Sequence, residues 1–187
     1  AAVLDATRAA NADLLLLAGD IFESNRQSDA FLERIAAMLA AASAPMVVLP
    51  GNHDPIVPGA VFHRLHAMGI DQLHVLGLTH PEAVVFDHLD LEVWGRAHTS
   101  YGNMVPFERA RPRSTRWQVA LGHGHYHGDK DGEALRPSWL IRDAELAAIG
   151  SDYVALGHWE RAAAVGDGQV RAHYSGSPTT EIGRAHV

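Results

Sequence analysis

The stretch "LLLLAGDIFES", Leu14–Ser24, decides how the chain is read. Four leucines run straight into Ala-Gly-Asp, so a carboxylate arrives at the point where an apolar segment ends. A short continuous apolar run bounded by glycine predicts a strand buried on both faces, expected here over Asp13–Ala18. Upstream, Val3, Leu4, Ala6, Ala9 and Ala10 alternate with polar positions and predict the tail of an amphipathic helix over residues 2–11. Downstream, Ser28 is placed to cap a helix over "DAFLERIAAMLAAAS", with Phe31, Leu32, Ile35, Met38 and Leu39 on one face. "MVVLP" after Pro45 is a second all-apolar strand. Strand, helix, strand with unbroken apolar strands predicts an α/β fold with a parallel sheet covered by helices.

Further along, "AVVFDHL" and "LEVWGRA" predict an antiparallel pair, followed by an arginine-containing loop from Arg109 to Arg116. "WQVALGHG" and "DYVALGHW" are two more buried strands, and between them "IRDAELAAIG" predicts a helix that closes on Gly150. "AAAVGDGQVRAHYSG" predicts two short strands around the turn at 166–168.

Composition sets the outer bounds. The 187 residues are 47% hydrophobic, enough for one domain spanning 1–187 with a substantial core. A net charge of -7 gives the whole molecule no attraction for nucleic acid or anionic membrane, so such a partner needs a local basic patch or a metal. The absence of cysteine excludes disulfides and thiolate ligands. No apolar run approaches a membrane span and no signal-peptide pattern opens the chain, so the expectation is a cytoplasmic protein without membrane attachment. Ala1 reads as the middle of an element, which predicts a cut or processed N-terminus, and the C-terminus is open to the same reading. Thirteen histidines are the outlier and raise the odds of a metal or acid/base site.

One design recurs. "LLLLAGD" ends at Asp20, "MVVLPGNHD" presents Asn52, His53 and Asp54, "WQVALGH" ends at His123, and "YVALGHWE" presents His158 and Glu160. Taken singly, each of these is an ordinary turn or a structural histidine. Taken together, carboxylate, amide and imidazole donors stand at the carboxyl ends of four buried strands, the edge where open α/β sheets bind ligands. The expectation is that they converge along one sheet edge on a cation.

These blocks resemble the calcineurin-like metallophosphoesterases. "GDIFE" is similar to their Gly-Asp-x-x-Asp/Glu block, "GNHD" to Gly-Asn-His-Asp/Glu, and "GHG" and "GHWE" stand where their later histidine blocks fall. More narrowly, "DLLLLAGDIFES", "DYVALGHWER" and "YSGSP" resemble the nuclease domain of SbcD/Mre-type DNA repair exonucleases. The resemblance implies a layered sandwich of mixed β-sheets flanked by helices. It implies two divalent ions, with manganese the expected metal: Asp20 bridges both, while Asn52, His123 and His158 complete the shell of one. The second ion's Asp-x-His block on a first strand has no counterpart here, and Glu160 replaces the last histidine. Carboxylate oxygen suits harder cations, so Glu160 is counted as a ligand. His53 matches the catalytic histidine, and Asp54 beside it is expected to orient its ring. His125 is assigned to substrate contact, and His127 has no matching metal role. Arg109, Arg111, Arg113 and Arg116 suit either a phosphate backbone or, the favoured reading, a solvated loop.

The implied chemistry is phosphodiester hydrolysis by hydroxide activated between cations about 3.5–4 Å apart. The implied partners are DNA and an ATPase subunit of SbcC/Rad type, with a homodimer compatible. Two alternatives stand beside a repair exonuclease: a small-molecule phosphodiesterase or phosphatase on the same core, and a non-catalytic scaffold keeping a single metal. With the first-strand ligands missing, these 187 residues alone are expected to show weak activity or none.

Overall fold

Residues 2–129, 131 and 139–178 are described by a computed structural model. The opening third forms one layer pair. Helix α1 (Ala2–Ala9) leads into β1 (Leu15–Ala18), and α2 (Asp29–Ala40) starts where the Ser28 hydroxyl accepts the Phe31 N–H at 3.2 Å. Strand β2 (Met46–Leu49), helix α3 (Val61–Ala67) and strand β3 (Leu73–Val75) follow. The three strands are parallel, in the order β1-β2-β3. Because side chains alternate along a strand, Met46 and Val48 face α2 and α3, joining Leu32, Ala36, Phe62 and Leu65, while Val47 and Leu49 face the other way.

The rest of the chain supplies β4 (Ala83–Phe86), β5 (Leu91–Gly95), β6 (Trp117–His123), β7 (His125–Tyr126), β8 (Leu140–Ile141), α4 (Asp143–Ile149), β9 (Tyr153–Gly157), β10 (Ala163–Val165) and β11 (Arg171–Tyr174). Six of these strands form a mixed sheet in the order β10-β11-β9-β6-β5-β4, with the two end strands antiparallel to their neighbours. Strands β7 and β8 make a small parallel pair of their own. The two large sheets pack face to face through Val47, Leu49, Val93 and Leu121. On the far side, Val154, Leu156 and Tyr174 are covered by Leu146 and Ile149 of α4. Helix, sheet, sheet, helix is the layered sandwich that the resemblance implied, with the smaller sheet parallel and the larger one mixed.

Local differences have local causes. Helix α2 stops at Ala40, and Met38 is exposed while Ala36 takes the buried position. Ile141 belongs to β8, so α4 begins two residues later than its apolar pattern suggests, with the Arg142 N–H donating to Glu145 Oε2 at 2.8 Å. Helix α3 and strand β3 were not expected: they are short, and His63, His66 and His74 blur their patterns. No helix among the described residues is long and apolar enough to cross a membrane.

Candidate metal centre

The four strand ends do meet, but across two sheets rather than along one. Asp20 and Asn52 follow β1 and β2 of the smaller sheet, while His123 ends β6 and His158 follows β9 of the larger. Close approach of the sheets depends on glycine. A Cβ at Gly157 would collide with the Ala18 carbonyl oxygen, and one at Gly19 with the His123 ring. Past Gly19 the chain turns through left-handed backbone, Asp20 having φ +51°. His158 has φ +104°, a conformation rare outside glycine that costs of order 1–3 kcal/mol and that the surroundings must impose.

His123 organises the centre. Its Nδ1 lies 2.8 Å from the Ala18 carbonyl, which can only accept, so Nδ1 carries the hydrogen and Nε2 of the neutral ring presents a lone pair. That Nε2 faces Asp20 Oδ2 at 3.1 Å and Asn52 Oδ1 at 3.0 Å. Three electron-rich atoms therefore point at one another, an arrangement that needs a proton or a cation between them. Donor atoms of Asp20, His123 and His158 all lie within 4.8 Å of one another. Oxygen and imidazole donors in this number fit a divalent transition metal.

The charges agree. Burial alone would raise the Asp20 pKa, but the hydrogen bond and charge of His123, with the His53 N–H donating to Oδ1 at 2.9 Å, hold it below the ordinary range. Burial would lower the His123 pKa, yet Asp20 carries it upward. His158 is crowded by His123, His125 and Trp139 at ring distances of 5.4, 6.2 and 6.0 Å. Desolvation, then the charge of His123, push it down to about 4, a shift tempered where the ring meets solvent. Asp20 and His123 thus favour each other's charged forms, while His158 is held toward its neutral form.

His53 is exposed beside this centre, its ring Nδ1 lying 3.2 Å from the Glu23 carbonyl. Asp54 does not orient that ring. Its fully buried carboxylate accepts backbone N–H groups from Gly51 at 2.7 Å, Ile21 at 2.8 Å, Phe22 at 3.1 Å and Asp20 at 3.3 Å, tying the two ligand-bearing loops together. Burial pushes its pKa up against those amides. Glu160 is exposed and outside the donor group within 4.8 Å, its main-chain carbonyl accepting the Ser177 N–H at 2.8 Å. His125 sits at the rim, where its Nδ1 accepts the Trp159 indole N–H at 3.0 Å. His98, which sequence reasoning missed, is fully buried with its ring 5.5 Å from that of His123. It lies three residues beyond β5, whose apolar run is broken by Glu92 and followed by Arg96 and Ala97, so it lacks the strand-glycine-ligand pattern of the other four.

A family model for calcineurin-like phosphoesterases matches residues 1–160. The chain belongs to this family. The family is one of phosphoesterases, and Asp20, His123 and His158 form a group that could hold a metal ion. The chain is also similar to the SbcD component of the nuclease SbcCD from Bacillus subtilis (strain 168), at 24% identity over 209 residues. That match covers 89% of this chain and 51% of the relative, so the chain spans about half the relative's length.

Two sequence suggestions resolve into structure within this member of the family. The loop arginines are engaged: Arg109 with Glu82 at 3.1 Å, Arg111 with the buried Glu92 at 2.8 Å, and Arg113 with Asp152 at 2.7 Å, while Arg116 stacks over Trp117. In "YSGSP", the Tyr174 hydroxyl donates to the Gly124 carbonyl at 2.7 Å and accepts the Tyr126 N–H at 2.8 Å, fixing the turn that follows His123. The threonines Thr179 and Thr180 lie outside the described residues.

Proposed function

We propose that the chain hydrolyses phosphodiesters with divalent metal held by Asp20, Asn52, His123 and His158, and that its natural substrate is DNA. The observation that carries the first part is the bare Nε2 of His123 facing two oxygens while Nδ1 is committed to Ala18. When bound there, a divalent cation supplies Lewis acidity, offsetting phosphate charge and acidifying water at its side. Every other task falls to the protein. Asn52 and Asp20 present oxygen from the smaller sheet, and His123 and His158 present nitrogen from the larger, so a scissile phosphate is met by donors fixed from both sides. His53 is exposed, with Nδ1 donating to the Glu23 carbonyl; in its imidazolium form Nε2–H would give its proton to the leaving oxygen and the ring would return to neutral. Asp54 holds the amides of both loops and thereby the positions of Asp20 and His53.

The relative's name supports a nuclease that is one component of a larger assembly. DNA, repair exonuclease activity, an ATPase partner of SbcC/Rad type, a homodimer, a cytoplasmic setting and manganese belong to the same reading and rest on the resemblance of the sequence blocks. A second ion, reached by Glu160, also rests on the resemblance. A small-molecule phosphodiesterase is the second reading, and the engaged arginines together with the net charge of -7 favour it. The test is manganese-dependent turnover of linear duplex DNA against bis(p-nitrophenyl) phosphate, with His53→Ala as control. Cleavage of DNA abolished by that substitution supports the nuclease. Cleavage of only the small diester selects the second reading, and no turnover with any divalent metal refutes the proposal for these residues and fits either the missing first-strand ligands or a single-metal scaffold.

A further inference from the structure

His98 has no role in the reaction described above, yet it touches both halves of the centre. Its ring Nε2 lies 3.1 Å from the main-chain carbonyl of His123, so Nε2 carries the hydrogen and donates. Its own N–H donates to the Pro50 carbonyl at 3.2 Å, and its carbonyl accepts the Ile56 N–H at 2.8 Å. Pro50 and Ile56 bracket the loop that carries Asn52 and His53. One residue therefore holds both ends of the amide-bearing loop and the backbone of the imidazole that faces it. The His98 ring meets the His123 ring edge to face, at an interplanar angle of 84°, and Trp139 closes on it at 5.9 Å.

The chemistry of the ring argues against simple packing. Its Nδ1 is buried and has no hydrogen-bond partner among the described residues. A buried acceptor without a partner is costly, and a phenylalanine would fill the same space without that cost. What the imidazole adds is the Nε2–H aimed at His123. We infer that His98 is a positioning residue that sets the spacing between Asn52 and His123, and with it the affinity of the centre for a divalent cation. The inference rests on the reading that this centre holds a cation. Partners that orient metal-binding groups from behind typically change metal affinity 10–100-fold when removed.

Reach provides the test. Glutamine places its amide nitrogen where the imidazole Nε2 stands, whereas asparagine carries the same group one bond short of the His123 carbonyl. Manganese is titrated into the wild-type chain, His98→Gln and His98→Asn by calorimetry, and the ion-free forms are melted in parallel. The expected result is a Kd for His98→Gln within about threefold of wild type and one for His98→Asn weaker by about 10–100-fold. A purely structural role would instead shift melting in both variants and leave the affinity of the folded protein alike. Should the asparagine variant fail to fold, His98→Phe takes its place, with the same loss expected. Equal affinity of the glutamine variant and its comparator, whether both strong or both weak, overturns the inference while leaving the metal centre standing. A wild-type chain that takes up no manganese removes both.

Discussion

Asp54→Asn separates two accounts of a residue that sits next to the proposed catalytic histidine. In the structure each carboxylate oxygen accepts two backbone amides: Gly51 and Asp20 on Oδ1, Ile21 and Phe22 on Oδ2. The asparagine amide can keep its oxygen on one pair only, and its NH2 then confronts the other two N–H donors. Whichever way it turns, one short bond and one longer bond are lost, and two buried donors go unmatched. At about 1–3 kcal/mol for each unsatisfied buried group the raw cost is about 2–6 kcal/mol. The substitution also removes a buried charge whose cost shows in the raised Asp54 pKa, which favours the lower half of that range. For a chain of this length each kcal/mol lowers the melting temperature by about 2–4 °C, so a fall of about 4–16 °C is expected. Thermal melting read by circular dichroism in chelator measures it, alongside turnover of bis(p-nitrophenyl) phosphate. A melting temperature within about 1 °C of wild type, with turnover lost, would refute this account and return Asp54 to the ring of His53.

Three further outcomes are expected. His53→Ala removes an exposed ring held by the Glu23 carbonyl, so turnover falls by about 10²–10⁴-fold while the melting temperature and manganese affinity, read by calorimetry, hold. Gly157→Ala drives a methyl into the Ala18 carbonyl at the sheet junction and destabilises the fold by about 1–3 kcal/mol in urea titration, with weaker manganese binding. The ion-free protein gains stability from Asp20 above its unfolded pKa of 3.8, lost as pH falls through the depressed folded value. It gains stability from His123 below the unfolded value of 6.5, lost as pH rises through the elevated folded one. His98 and His158, pushed down to about 4, oppose it as pH falls below 6.5, so melting in chelator should peak toward the upper end of the window between pH 3.8 and 6.5, and manganese, taking the place of the His123 proton, should flatten the alkaline decline.

Apolar runs that stop at glycine and a ligand-type residue made β1, β2, β6 and β9 legible as strands, although only β2 is buried throughout and β1, at the edge of its sheet, is partly buried at every position rather than buried on both faces as expected. Ser28 and Gly150 marked helix ends through cap chemistry that acts locally. The assembly was harder to read. Nothing in the spacing says that Asp20 and Asn52 stand on one sheet and His123 and His158 on another, since strand order is decided by long-range packing. Asp54 was misassigned for a related reason: adjacency in sequence suggested a partner in His53, whereas the amides it accepts include Ile21 and Phe22, far along the chain. His98 stayed hidden because its value lies in a contact with a main-chain carbonyl, which leaves no pattern in side-chain types.

The engaged arginines have a consequence for how this molecule would hold a polyanion. Arg109, Arg111 and Arg113 already neutralise Glu82, Glu92 and Asp152, so a phosphate that displaced those carboxylates would gain little over the pairs it broke. Adhesion to a phosphate chain through this loop would then be weak, and raising the ionic strength would loosen it only gently. Grip on a long strand would have to come from the cation at the seam, or from a companion surface that brings its own positive charge.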